Sequence, residues 1–259
     1  MLIGEPPRSQ YDWNFTIGGF PVRVHPYFWL LSVLLGAQQG GLFDLLAWVG
    51  VVFVSILVHE LGHALAMRHF GKAPRIVLHA MGGLAIADSY FHSYSNRGRA
   101  DTSRNQIIIS AAGPAAGFLL AGLVIALLYA SNRSMPFFFG WQFGEGLMIN
   151  PRTQPGFFVL VWDLLFVNIM WGLMNLFPVY PLDGGQIARE ILTAVNPHEG
   201  IKQSLVLSIV AAAGLALYGL VQWRQPFLAL LFGYLAYTSY ATLQAYTGGG
   251  RFGGGGSPW

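Results

Sequence analysis

The chain has 259 residues, of which 54% are hydrophobic and only 10% are Asp, Glu, Lys or Arg. An ordinary soluble domain carries roughly 25% charged residues, so this composition excludes a soluble enzyme and indicates a protein that crosses a membrane several times. A net charge of +3 does not suggest a nucleic-acid partner, and the aromatic content of 15% excludes a disordered chain. The absence of cysteine excludes disulfides, thiolate metal ligands and a cysteine nucleophile.

The chain begins with a polar segment, residues 1–26, in which residues 15–24 mix aromatic and β-branched side chains and predict a strand or hairpin. Six apolar stretches follow, each near the ~20 residues that cross the hydrocarbon core of a bilayer. These predicted spans are residues 27–42, 43–67, 105–131, 157–177, 201–222 and 227–246. The first span is short and ends in Gly40-Gly41. Residues 248–259 are rich in glycine and predict a flexible tail.

The positions of Lys and Arg orient these spans. With the N-terminus in the cytoplasm, eleven of the 14 basic residues fall in cytoplasmic segments. The three others are Arg133, Arg152 and Arg224. This positive-inside bias predicts six spans with both termini in the cytoplasm, and therefore one membrane domain over residues 27–247.

Two of the longer connections also suggest structure. Residues 68–104 contain two short apolar runs, 76–78 and 84–86, which flank Gly82 and Gly83 and predict a β-hairpin near the membrane. Residues 184–195 predict a short helix. The fold expected is therefore an α-helical polytopic membrane protein of about six transmembrane helices with a short membrane-associated β-hairpin or sheet.

The second span ends in a group of ionisable residues, His59-Glu60-Leu61-Gly62-His63. Histidines four residues apart share one face of a helix and can hold one metal ion, while Glu60 can reach a metal-bound water as a general base. Ionisable groups are costly inside an apolar span and usually have a function there. The alternative is a hydrogen-bonded polar cluster that ties helices together.

A catalytic zinc site usually has three protein ligands and a water, so another Asp, Glu or His is expected at the same depth. Span order brings Asp183, which follows the fourth span, to the cytoplasmic side on which His59 and His63 lie. Asp163 and Asp44 are expected toward the opposite face of the membrane, where they are interpreted as polar contacts.

With these two segments, the sequence resembles the site-2 protease family of intramembrane zinc metalloproteases. That family has H-E-x-x-H in one transmembrane helix and an Asn-x-x-Pro-x-x-Pro segment with Leu-Asp-Gly in a later one. Here the second motif is NLFPVYPLDGG at residues 175–185, and FPVRVH at 20–25, MGGL at 81–84 and AGP at 112–114 are further similarities. The resemblance implies that Asp183 is the third ligand of one Zn2+ per chain and that Asn175 helps to hold the substrate or the oxyanion. Gly117 departs from the Asn that many members have there, and no PDZ-like insert or CBS-like tail is recognised.

These observations predict a zinc-dependent intramembrane endopeptidase. It would hydrolyse peptide bonds in transmembrane segments of membrane-tethered substrates near the cytoplasmic face, by Glu60-assisted attack of zinc-bound water, in regulated intramembrane proteolysis. The strand edge at Gly82 and Gly83 would bind the extended substrate by β-augmentation. The expected partners are this substrate and the lipid bilayer, and the expected location is a bacterial inner membrane. A zinc-binding transporter or sensor and a catalytically inactive scaffold are the alternatives.

Overall fold

The computed structural model describes residues 5–37, 41–80, 82–87, 102–137, 141–150, 153–222, 224 and 226–248. Its helices are α1 (Pro26–Leu35), α2 (Leu42–His69), α3 (Ser103–Ala130), α4 (Pro155–Asn175), α5 (Asp183–Val195), α6 (Gly200–Val221) and α7 (Pro226–Gly248). Its strands are β1 (Trp13–Ile17), β2 (Phe20–Val24), β3 (Pro74–His79), β4 (Gly82–Ala87), β5 (Arg133–Pro136), β6 (Gln142–Gly144) and β7 (Leu147–Met148).

Among the described residues, five helices are long and apolar enough to cross a membrane, namely α2, α3, α4, α6 and α7. They correspond to the second to sixth predicted spans, so the expected class of helical membrane protein with a small sheet is confirmed. The first predicted span, residues 27–42, is where the structure differs. It contains the ten-residue helix α1, which is about 15 Å long and covers half of a ~30 Å hydrocarbon core.

Both predicted hairpins are present, and they join into one sheet. The strands lie in the order β1-β2-β3-β4, with antiparallel pairs β1–β2 and β3–β4. The central pair, β2–β3, is parallel, and the sequence did not predict it. Parallel neighbours need a long crossover connection, which α1 and α2 provide here. The N-terminal hairpin therefore lies beside the segment that follows α2.

The sheet explains why α1 is short. The sheet packs along α2 from the middle of the helix to its C-terminal end: the Trp13 ring lies 5.8 Å from the ring of Phe53, and Arg68 donates a hydrogen bond to the turn between β1 and β2. Helix α1 packs along the N-terminal part of α2, where Nε1 of Trp48 donates to the main-chain oxygen of Ser32 at 3.1 Å. The sheet and α1 meet at Phe53, on which Trp29 of α1 stacks, so α1 covers only the part of α2 that the sheet leaves free.

One core joins the sheet to α2. Val22, Val24, Ile76 and Leu78 alternate along β2 and β3, so all four side chains reach one face of the sheet, where they are buried with Ile56 of α2. Burial of such side chains contributes about 1.5–3 kcal/mol each in water, and in a membrane their close packing gives the sheet a fixed position on the helix.

Helix α2 ends in a Schellman motif. The N–H of Lys72 donates to the oxygen of Met67 at 2.9 Å, and the N–H of Gly71 donates to the oxygen of Arg68 at 3.0 Å. Gly71 has φ of 80°, a conformation that glycine adopts without strain. The chain therefore turns directly from α2 into the sheet.

A second small sheet was not predicted. Strands β5, β6 and β7 lie in the order β6-β5-β7 in the connection between the third and fourth predicted spans. Met135 and Ile149 from this region are fully buried with Leu165 of α4. These strands are only two to four residues long, which is too short to show an alternating pattern in the sequence.

Contacts divide the chain into two compact units. The first contains Met1–Asp101 and Ala111–Met174, and the second contains Thr102–Ser110 and Asn175–Trp259. In the second unit, α5 confirms the predicted helix over residues 184–195, and the loop before it is held by Tyr180, whose N–H donates to Oγ of Ser208 at 3.0 Å. Residues 249–259 of the predicted tail lie outside the described residues, and the predicted domain limits stay predictions.

Candidate metal centre

His59, Glu60 and His63 lie in the C-terminal half of α2, and all three side chains are at least nine-tenths buried. One helical turn separates the two histidines, so their rings meet on one face. The Nε2 atoms are 3.2 Å apart, and the rings are nearly perpendicular at a centroid distance of 4.8 Å. The structure therefore brings together the three residues of the predicted H-E-x-x-H motif.

This arrangement fits a zinc ion. Two nitrogens bound to one tetrahedral Zn2+ at 2.0–2.1 Å are about 3.3 Å apart, close to the separation of the two Nε2 atoms. One potential ligand atom from each of His59, Glu60 and His63 lies within 4.8 Å of the others, and this is the group with metal-binding geometry found in the described residues. A hydrogen bond between the two rings would have a similar length, so the distance alone agrees with both the metal site and the polar cluster.

Gly113 of helix α3 lies against one side of the histidine pair. A Cβ atom at Gly113 would lie 2.8 Å from Nε2 of His59 and 2.5 Å from Cε1 of His63. At Gly62 a Cβ atom would lie 2.8 Å from Cβ of Ala116, so α2 and α3 approach through small residues at this level. The AGP segment was noted in the sequence only as a similarity, and its contact with the histidine nitrogens was not predicted.

Strand β4 passes beside Glu60. A Cβ atom at Gly83 would lie 2.5 Å from Cδ of Glu60, so only glycine allows the carboxyl group this position. Gly82 has φ of 113° and faces Trp171, whose Cζ2 would be 3.0 Å from a Cβ atom there. Within the described residues β4 pairs with β3 alone and forms an edge of the sheet. The structure therefore places Gly82 and Gly83 on a strand edge next to Glu60, while Met81 lies outside the described residues.

Asp183 and Asn175 belong to the second unit. Asp183 is the first residue of α5, and its side chain is buried. Two residues later in α5, a Cβ atom at Gly185 would lie 2.5 Å from the main-chain nitrogen of Tyr180. The start of α5 therefore packs directly on the preceding loop. Asn175 is the last residue of α4 and is half-buried. The roles of both residues stay predictions.

Asp44 and Asp163 lie away from the histidine pair along their helices. Asp44 is in the first turn of α2, about 22 Å along the axis from His59, and its charge suits the positive end of the helix dipole. Asp163 is buried in α4, and its Oδ2 has no hydrogen-bond partner in the described part of the chain. The predicted polar contact between helices is therefore not found for this oxygen.

Charged residues hold the N-terminal segment against the first sheet. Arg75 makes two hydrogen bonds to the Glu5 carboxylate, which Arg23 also contacts at 2.8 Å. The Arg75 hydrogen bond is the largest effect on Glu5 and holds the pKa of its carboxyl group below the usual value. Burial is the main cause of the lowered pKa of His79 in β3, so this imidazole favours its neutral form.

Comparisons with known proteins agree with this site. The model of peptidase family M50 matches residues 47–218, which include both sequence motifs. The chain is 31% identical over 183 residues to the zinc metalloprotease MJ0392 of Methanocaldococcus jannaschii, a match that covers 69% of this chain and 44% of that protein. It is 26% identical over 167 residues to stage IV sporulation protein FB of Bacillus subtilis, covering 64% of this chain and 46% of that protein.

The fold agrees as well. The structure is similar to the solved site-2 protease from Methanocaldococcus jannaschii, with a TM-score of 0.55 and 23% sequence identity over 89% of this chain and 94% of the other. The chain spans less than half the length of the two curated relatives. Because the family model covers well over half of the chain, and with it the histidine pair of α2, the chain belongs to peptidase family M50, the family of the site-2 proteases.

Proposed function

We propose that the chain is a zinc-dependent intramembrane endopeptidase that cuts transmembrane segments of membrane-tethered substrates near the cytoplasmic face. The observation that carries this proposal is the buried group of His59, Glu60 and His63 in a helix that is long and apolar enough to cross a membrane. The family supplies the expectation of zinc and of peptide hydrolysis.

His59 and His63 hold the zinc ion through their Nε2 atoms, and Asp183 provides the third ligand. Bound zinc supplies a Lewis acid that polarises the scissile carbonyl group and lowers the pKa of water. The separation of the two Nε2 atoms supports the histidine pair, while the position of Asp183 in the motif at residues 175–185 supports the third ligand.

Glu60 is the general base. Its carboxylate takes a proton from the attacking water and gives it to the nitrogen of the leaving amine. Glu60 neighbours His59 in the chain but points toward β4, since its carboxyl group lies against Gly83. The proton acceptor is thus placed between the metal ligands and the strand edge. Asn175 holds the substrate carbonyl oxygen as charge develops on it.

The substrate binds in an extended form along β4. Carbonyl groups in a helix are already hydrogen-bonded, so a transmembrane segment must unwind before it is cut. An edge strand offers free main-chain N–H and C=O groups to an extended segment. Gly83 brings this edge into contact with Glu60, so a strand added to β4 would carry its peptide bonds past the base.

Two alternatives use the same residues differently. A zinc transporter or sensor would bind the ion without needing Glu60 as a base, and an inactive scaffold would need neither. An integral membrane location follows from the five apolar helices and the family. We propose a bacterial inner membrane as the location by analogy with the family. We also propose that both termini lie in the cytoplasm, which requires the N-terminal hairpin and α1 together to make a sixth crossing beside the five spanning helices; the bias of basic residues, counted over six spans, supports this.

Glu60→Gln separates the protease from both alternatives. The purified chain and a transmembrane peptide are reconstituted in the same liposomes, and cleavage products are measured by mass spectrometry. Glu60→Gln should abolish cleavage while the zinc content stays at one ion per chain. The matched control is Glu145→Gln, which changes an exposed glutamate outside the helices and should cleave normally. Cleavage by Glu60→Gln at the wild-type rate would overturn the mechanism.

The ligand set is tested without a substrate. Zinc content is measured in the detergent-purified wild type, in His63→Ala and in Asp183→Ala, with Asp44→Ala as the matched control. Marked loss of zinc in the first two variants supports the ligand set. Asp183→Ala with the full zinc content would exclude Asp183 as a ligand, and a wild type that binds no zinc after reconstitution would favour the scaffold.

A further inference from the structure

A buried hydrogen bond links α2 to α4 one helical turn from the metal ligands. Nδ2 of Asn168 donates to Oγ of Ser55 at 2.9 Å and to the main-chain oxygen of Leu164 at 2.8 Å. Ser55 precedes His59 by four residues, so it lies on the helix face that carries both His59 and His63. Ser55 and Asn168 are each 3% exposed, which places this contact inside the protein.

These two hydrogen bonds fix the orientation of the Asn168 amide group. The oxygen of Leu164 can only accept, so the amide nitrogen of Asn168 must face it. The amide oxygen, Oδ1, is buried, and it has no hydrogen-bond partner within the part of the chain that the structure describes. Buried amide oxygens are nearly always hydrogen-bonded to protein or to ordered water. A hydrogen-bond donor that is not among the described residues is therefore expected at Oδ1, and ordered water is such a donor.

Gly117 of α3 faces this oxygen and places no side chain beside it. A Cβ atom at Gly117 would lie 3.6 Å from Oδ1 of Asn168 and 3.5 Å from its main-chain oxygen, so two acceptors face this side of α3. Gly113, one turn earlier on the same face of α3, lies against Nε2 of His59. The Asn168 oxygens and the ligand nitrogens therefore face neighbouring positions of one helix, about 6 Å apart along its axis.

We propose that Asn168 and Gly117 form a binding site for one water molecule beside the metal centre. Buried polar groups hold water, whereas apolar voids of the same size stay dry, and a water molecule can donate to both Asn168 oxygens. The role of this water in catalysis rests on the proposed function, whereas its binding does not. Hydrolysis consumes one water molecule for each peptide bond. The proposed site holds the next water molecule within one helical turn of the metal ligands.

Gly117→Ala tests the site without disturbing the hydrogen bonds of Asn168. The added methyl carbon would make ordinary contacts with both Asn168 oxygens, and we expect it to displace a water bound to them. The matched control is Gly122→Ala on the same helix, where a Cβ atom meets no atom within 4 Å. Gly122→Ala should unfold at the wild-type temperature or above, because alanine favours a helix more than glycine does. Gly117→Ala gains the same helix propensity but leaves Oδ1 without its water, so its unfolding temperature is measured and its activity is compared well below that temperature.

The first readout needs no substrate. A structure of the full chain, at a resolution that shows ordered water, should contain a water molecule at hydrogen-bond distance from Oδ1 in the wild type and in Gly122→Ala. That water should be lost in Gly117→Ala. A wild-type structure with no water at Oδ1 would overturn the proposal whatever the activity of the enzyme.

The second readout is the cleavage rate at equal zinc content. Gly117→Ala should lower kcat roughly tenfold with KM unchanged, as is typical when a group next to a metal centre is altered. Asn168→Leu, which removes the acceptor, should behave in the same way, and Gly122→Ala should match the wild type. Loss of the water with an unchanged kcat would overturn its role in supply. A wild type that shows the water but cleaves no peptide would refute the proposed function and leave the water site standing.

Discussion

Gly113→Ala is the most direct test of the packing around the histidine pair. The new methyl carbon would lie 2.8 Å from Nε2 of His59 and 2.5 Å from Cε1 of His63. Carbon atoms in contact are usually about 3.5 Å or more from their neighbours, so the rings would have to move by about 0.7 Å and 1 Å. Bond lengths at a metal vary by only about 0.2 Å. Both histidines therefore cannot keep their positions as ligands.

The expected result is a loss of zinc affinity of roughly tenfold to a hundredfold, the range found for changes beside metal ligands. This corresponds to about 1.4–2.7 kcal/mol of binding free energy. The assay is a competition titration in detergent, in which a chromophoric chelator competes with the protein for zinc. Gly122→Ala is the matched control on the same helix, since its methyl group meets no neighbour.

Two outcomes would refute this reasoning. Zinc affinity equal to the wild type in Gly113→Ala would mean that α3 does not press on the ligand nitrogens. An equal loss in Gly122→Ala would mean that the effect arises from the helix and not from the contact. Thermal unfolding of both variants should be measured alongside, because a general loss of structure would also release zinc.

Three further predictions concern stability. Gly62→Ala should lower the thermal unfolding temperature, because the overlap with the main chain of Ala112 and with Ala116 costs about 1–3 kcal/mol and the gain in helix propensity is about 1 kcal/mol or less; an unchanged temperature would contradict the close approach of α2 and α3. Glu5→Gln should lower the free energy of unfolding at pH 7 by less than about 1 kcal/mol, since the ion pair with Arg75 is partly exposed. Because the pKa of Glu5 is lowered in the folded protein, this difference should shrink as the pH falls below 4.5, which denaturation at several pH values would show. His79→Gln should flatten the loss of stability as the pH falls below 6.5, because burial lowers the pKa of His79 and the unfolded chain binds the proton more readily; an equally steep loss in the variant would point to other groups.

The features that could be predicted from the sequence are those with a local pattern. The spacing of His59 and His63 predicted a shared helix face, and the structure places their Nε2 atoms 3.2 Å apart. Long apolar runs predicted the five helices that can cross a membrane. A mix of aromatic and β-branched residues predicted a strand or hairpin at residues 15–24, and two short apolar runs beside a glycine pair predicted the second hairpin. Each of these signals lies within about 30 residues of chain, so no distant partner had to be known.

The features that were missed depend on partners far away in the sequence. Hydropathy measures how apolar residues 27–42 are, but the length of α1 depends on how much of α2 the sheet already covers. The contact of Gly113 with the histidine pair and the hydrogen bond between Asn168 and Ser55 both join separate helices. A glycine or an asparagine in an apolar helix gives no sign of which neighbour it will meet.

The parallel pairing of β2 with β3 sets an order of assembly. The two strands are separated by the whole of α1 and α2. Strand β2 pairs with β1 on one edge, but its other edge has no partner until α2 and then β3 have been synthesised. Strand β4, which lies against Glu60, is synthesised later still. The nascent chain thus carries His59, Glu60 and His63 in α2 before the strand edge beside them exists. If β4 binds the substrate, as proposed above, the chain gains that binding strand only after its first two helices have been made.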